Sequence, residues 1–191
     1  MSPDGSAAFS TQSRIVIFAL GRFEILLNGI PLHFKGRAPT RSLELLTALV
    51  AAGDGGVNVG RLSDQLWPDA DGFDAYRALT TTLHRLRRML GANDAVRLCA
   101  GRLALDAQIC TVDAWIFERA LRGAADAEAI ESILDTYHGP LLADDPSPWA
   151  LAARERLEDL IGRKTGQARR SGVAAGYMAE RMRIQSSAAS A

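Results

Sequence analysis

Apolar positions recur with two different periods along this chain, and each period predicts a different kind of element. Across residues 73–91, leucines stand at Leu79, Leu83, Leu86 and Leu90. Steps of four, three and four keep them on one side of a 3.6-residue helix. The opposite side carries Arg77, Thr81, His84 and Arg88, with Thr80 and Arg85 flanking, and no acidic residue occurs between Asp74 and Asp94. Near the N-terminus the pattern is that of strands. Residues 15–20 are a continuous apolar run, 23–27 follow, and Asn28-Gly29 is a dipeptide favoured in two-residue hairpin turns because both positions tolerate positive φ. Residues 30–32 form the returning strand, so a small antiparallel sheet is predicted.

Between these two regions the chain predicts two further helices. Thr40 is expected to cap the first, with Leu43, Leu46 and Val50 on its inner stripe and Gly53 at its end. Asn58 caps a shorter one whose inner side holds Leu62 and Leu66 and which closes at Trp67-Pro68. After the long helix, residues 96–100 and 102–105 alternate around Gly101. In that hairpin Val96, Leu98, Leu103 and Leu105 are expected inside, with Arg97 and Arg102 outside. Asp113 can then cap a helix running to Arg122, residues 125–137 form another, and Pro148 opens a third to about residue 163. Beyond it glycines interrupt the pattern, and each interior glycine costs about 1 kcal/mol against alanine.

The predicted fold class is therefore α+β and mainly helical. It is a winged helix-turn-helix with an N-terminal antiparallel sheet over residues 14–106, followed by a truncated helical module over 107–168. Residues 1–13 are expected to be a disordered lead and 169–191 a weakly ordered tail.

Three segments carry a family resemblance: FALGRFEILLNG, RLSDQLWPD and RALTTTLHRLRRMLG. They are similar to the DNA-binding domain of OmpR/PhoB-type response regulators, as found in the streptomycete antibiotic regulatory protein family. TVDAWIFERAL and YHGPLLADDPSPWALAARERL resemble the start of the bacterial transcriptional activator domain, a helical module related to tetratricopeptide repeats. The resemblance implies a recognition helix, residues 73–91, in the major groove and a wing, 96–105, on the adjacent minor groove or backbone. It also implies a loop, 68–72, that touches RNA polymerase, an activating role, and pairing as a homodimer on DNA. The family continues into further helical repeats where this chain is glycine-broken, and no receiver domain is expected before the sheet.

Charge changes the picture in one respect. The formal net charge is zero, but residues 14–102 carry +4, residues 105–160 carry −8 and those after 160 carry +5. Opposite signs on successive segments suggest two modules with different partners. No apolar run reaches the eighteen or so residues of a membrane span. Two cysteines, Cys99 and Cys110, are too few for a disulfide scaffold, so a cytoplasmic location is expected.

Candidate chemistry concentrates on the long helix. Arginine can bond guanine through two donors, and threonine can meet a thymine methyl or a phosphate. By resemblance Arg77, Thr81, His84 and Arg85 fall where recognition-helix contacts cluster, and Thr82 falls where a phosphate-binding histidine is common; Thr80 and Arg88 complete the face. Arg102 and Arg97 are expected to reach DNA from the wing. Thr40, Arg41 and Arg61 are candidate phosphate clamps. No histidine has metal-ligand spacing with either cysteine, no nucleotide fingerprint occurs, and the acidic cluster around Asp144 and Asp145 has no nucleophile beside it. A non-enzymatic protein without cofactor is expected: a sequence-specific DNA-binding transcriptional regulator partnered by duplex DNA. The alternative, favoured by the zero net charge, is a protein-interaction adaptor with a winged-helix fold that no longer binds DNA.

Overall fold

The computed structural model describes residues 14–34 and 36–188, with side chains described as far as residue 172. The expected disordered lead over residues 1–13 lies outside the described residues. Strand β1 (Ile15–Phe18) pairs antiparallel with β2 (Glu24–Leu27), which pairs with β3 (Ile30–Pro31). The turn between β2 and β3 places Asn28 at φ 51° and Gly29 at φ 81°, the positive pair that this dipeptide tolerates.

Helix α1 (Thr40–Ala52) buries Leu45, Leu46, Leu49 and Val50. Thr40 is not its cap. The preceding Pro39 occupies that position with no side-chain cap hydrogen bond, and Thr40 is already the first helical residue. A two-residue strand, β4 (Val57–Asn58), leads into α2 (Val59–Leu66), where the Asn58 side chain accepts the Arg61 amide at 3.2 Å. Helix α3 (Gly72–Leu90) is capped by Asp71, whose carboxylate accepts the amides of Phe73 at 3.0 Å and Asp74 at 2.9 Å. Gly91 ends it in the left-handed conformation, as helix C-termini commonly do.

β5 (Val96–Cys99) and β6 (Arg102–Leu105) form the hairpin, and β4 joins its open side to give a three-stranded sheet of order β4-β6-β5. Val96, Leu103 and Leu105 are buried as expected, but Leu98 is 51% exposed. Leu98 lies opposite Leu103 on the same face. Leu103 sits on the central strand under β4, however, whereas Leu98 is near the tip of an edge strand beyond the reach of the core. A second strand was not foreseen: β7 (Cys110–Val112) runs parallel to β1, giving the first sheet the order β3-β2-β1-β7.

Three helices complete the described chain: α4 (Asp113–Gly123), α5 (Ala127–Leu134) and α6 (Pro148–Ala188). The indole of Trp115 donates to the Val50 carbonyl at 2.9 Å and that of Trp149 to the Thr47 hydroxyl at 3.2 Å, so both tryptophans brace α1. The contacts divide the chain into two compact units, one running up to Ile116 and including His138–Arg154, the other made of Phe117–Tyr137 with Glu155 onward. The division differs from a boundary at residue 106, because β7 and the start of α4 belong with the winged helix. Helix α6 also runs past its expected end near residue 163. Lys164 donates to the carbonyls of Arg122 and Ala124, Gln167 donates to that of Ala125, and Ala168 is buried. These tertiary bonds offset the helix penalty of Gly162 and Gly166, and helical backbone continues through much of the expected tail. No described helix is long and apolar enough to cross a membrane.

Candidate nucleic-acid interface

Helix α3 divides lengthwise into two faces. Ala75, Leu79, Leu83, Leu86 and Leu90 are buried, while Arg77, Thr80, Thr81, His84, Arg85 and Arg88 are all exposed. Asp74 is the single carboxylate at this surface, 3.9 Å from the Arg77 guanidinium. The Thr80 and Thr81 hydroxyls donate back to the carbonyls of Tyr76 and Arg77, at 2.9 and 3.0 Å. Each proton is thus spent within the helix, leaving a methyl and lone pairs outward.

Thr82 is a correction. It is only 4% exposed, three residues after Leu79 and four before Leu86, and so it falls on the apolar side of the helix. It contributes instead to the wall of an open cleft of about 320 Å³, shared with Arg41, Trp67, Asp74, Arg77, Ala78, Thr81 and Arg85. Arg41 is partly committed there: it donates to the Glu44 carboxylate at 2.7 Å and to the Leu66 carbonyl at 3.2 Å. Thr40 and Arg61 are exposed, at the starts of α1 and α2.

The wing arginines lie outside the hairpin as expected, and each also has a partner within the unit. Arg102 donates through Nε to the Gly55 carbonyl at 3.1 Å and through Nη2 to the Gly56 carbonyl at 2.7 Å. Arg97 is ion-paired with the buried carboxylate of Asp106. Each is fastened to its own unit by these bonds while remaining exposed, Arg97 with 61% of its side chain accessible. The tip that remains consists of Leu98, Cys99, Ala100 and Gly101, all exposed. Arg87 does the same work from α3, donating twice to the Val96 carbonyl, at 3.2 and 2.6 Å. The arginines therefore sort into braces (Arg87, Arg97, Arg102) and an outward set (Arg61, Arg77, Arg85, Arg88).

Two exposed aromatic residues stand at the head of α3, outside the set of side chains expected to meet DNA. Phe73 is 71% and Tyr76 51% exposed, and the Arg77 guanidinium lies 5.7 Å from the Phe73 ring centre. Their helical phase was the available signal, since Phe73 stands one turn before Arg77.

Elsewhere, buried titratable groups serve the architecture. Burial, reinforced by the charges of Asp106 and Asp94, pushes the Cys110 thiol up to about 12, so it stays protonated and inert as a nucleophile. Burial also raises the Asp113 carboxyl, against the lowering effect of hydrogen bonds from the Ala19, Leu20 and Ala114 amides. Among the described residues no group of histidines, cysteines and carboxylates could hold a metal ion.

No family model and no curated protein matches the chain. Among solved structures it is similar to Mycobacterium tuberculosis EmbR in complex with a low-affinity phosphopeptide, with a TM-score of 0.58 at 20% sequence identity. The likeness covers 85% of this chain and 46% of that one, so the chain spans about half of EmbR. It is a likeness of fold, and it is consistent with a winged helix.

Proposed function

We propose that this chain is a sequence-specific DNA-binding transcriptional regulator that acts without catalysis. One observation carries the reading: α3 exposes three arginines, two threonines and a histidine on one face, with a single carboxylate at its edge. Such a surface matches phosphates and base edges better than it matches water, where a solvated helix gains from mixed charges at i to i+4. Its leucine side is fixed in the core, so the face is presented on a rigid support. In this reading α3 enters the major groove. The wing lies against the adjacent backbone or minor groove through its peptide groups and apolar tip, Arg97 and Arg102 being exposed but already paired within the unit.

Further parts follow from the family resemblance. The loop over residues 68–72 is a candidate contact with RNA polymerase, the regulator is an activator, and two copies pair on DNA in the cytoplasm. The acidic helical segment beyond the wing is the protein-contacting part, of tetratricopeptide type.

A salt titration of binding to duplex DNA tests the central claim. The three outward guanidiniums of α3 on phosphates give a slope of log K against log salt of about −3 or steeper. A flat slope, or no binding at about 50 mM salt, in the range where phosphate contacts hold well, would favour the adaptor reading.

A further inference from the structure

Phe73 stands in an unusual place for a phenyl ring. It is 71% exposed. Counting along α3 from Phe73, the exposed residues Arg77, Thr80, His84 and Arg88 follow at steps of four, three, four and four, so the ring starts a row that runs along the basic face. Arg77 holds it there, with its guanidinium 5.7 Å from the ring centre. The Asp71 cap makes the first turn, and so the backbone under Phe73, well defined.

In a helix docked in the major groove, the N-terminal residues approach the base edges. A phenyl ring there has no hydrogen-bonding atom and cannot distinguish donors from acceptors. The one apolar feature that the groove offers is the C5-methyl group of thymine. We infer that Phe73 is a specificity-determining residue that selects thymine through its methyl group. The inference rests on the DNA-binding reading above and deepens it. A protein partner at the same ring is the competing occupant. Arg77 against the ring, and the arginines, threonines and histidine that follow on the exposed side of the same helix, favour a polyanion over the apolar surface that a protein would bring.

The experiment uses the full chain and duplexes that it retains from a random-sequence library. Each thymine in a retained duplex is replaced in turn by deoxyuridine, which removes only the methyl group. For the wild-type chain one thymine is expected to matter, with affinity falling about fourfold, the worth of burying one methyl-sized group. Phe73→Ala should lose a similar factor on the thymine duplex and be indifferent to the replacement at that position. Phe73→Leu should retain part of the discrimination. Phe73 is exposed, so the variants should match the wild type in thermal unfolding. If wild type and Phe73→Ala respond alike at every thymine, the inference is overturned while DNA binding stands. It is equally overturned if Phe73→Ala binds DNA normally but fails to support transcription with RNA polymerase, which would make the ring a protein contact. A library from which nothing is retained overturns the DNA-binding reading, and this inference with it.

Discussion

Arg102 separates two accounts of the wing, because a brace and a phosphate contact fail differently when removed. In the folded chain its guanidinium donates to two carbonyls, Gly55 at 3.1 Å in an exposed position and Gly56 at 2.7 Å in a partly buried one. A hydrogen bond to a charged group is worth about 1.5–3 kcal/mol, and the exposed member counts for much less because water replaces it. Arg102→Ala should therefore cost about 2 kcal/mol of stability. At about 2–4 °C per kcal/mol for a chain of this size, the midpoint should fall by about 4–8 °C. Measured where the variant is still folded, its salt slope for duplex binding should equal the wild type's. Arg85→Ala should do the reverse. Its stability should stay within about 0.5 kcal/mol of the wild type, as for an ordinary surface site, while the slope becomes shallower by about 0.9, one phosphate's share. Urea unfolding and a salt titration on both variants supply the four numbers. If Arg102→Ala unfolds like the wild type and flattens the slope by one phosphate, the wing arginine is a DNA ligand and the sorting of braces from contacts is wrong.

Other outcomes test the supports of the same unit. A Cβ at Gly56 would lie 2.3 Å from the Leu103 carbonyl oxygen at φ +65°, so Gly56→Ala should destabilise by about 2 kcal/mol or more. Gly101→Ala, at a similar φ but with nothing within 4 Å, should cost only about 1 kcal/mol in the same urea assay. Asp71→Ala removes the α3 cap and should cost about 1 kcal/mol, with Asn at that position restoring most of it. Iodoacetamide at neutral pH should label the exposed Cys99 and spare the buried Cys110, as peptide mass mapping would show. The Cys110 thiol, raised from 9.0 to about 12 by folding, loses its proton first in the unfolded chain. Stability should fall above pH 9 by about 1.4 kcal/mol per pH unit, and Cys110→Ala should remove that part of the slope.

Much of what could be read from the sequence depends on near neighbours, although the Thr40 cap, as local a feature, is absent. The α3 leucine stripe, the Asn28-Gly29 turn and the Asn58 cap each involve residues within a few positions of one another, and all are present. The burial of Thr82 was legible too, from its spacing to Leu79 and Leu86; transferring a family position onto it obscured that. The roles of Arg97 and Arg102 were not legible, because their partners are set by the tertiary fold: the acceptors of Arg102 lie 46 and 47 residues away. β4 and β7 have two and three residues, too short for an alternating pattern to register. Helix α6 passed its glycines because Lys164 and Gln167 found carbonyls 40 to 42 residues back along the chain, and no local propensity reports such a gain.

The pairing of β7 with β1 has a consequence for how the protein is made. Asp113, just after β7, accepts the amide of Ala19 from 94 residues away, and Ile15 lies beside Cys110. During synthesis the recognition helix and the wing have both left the ribosome before the strand that seals β1 arrives. Until then β1 presents an open edge, available to any neighbouring nascent chain. A fragment ended at the hairpin would keep that edge permanently bare. It would hold every residue assigned to DNA and lack the strand that pairs with β1.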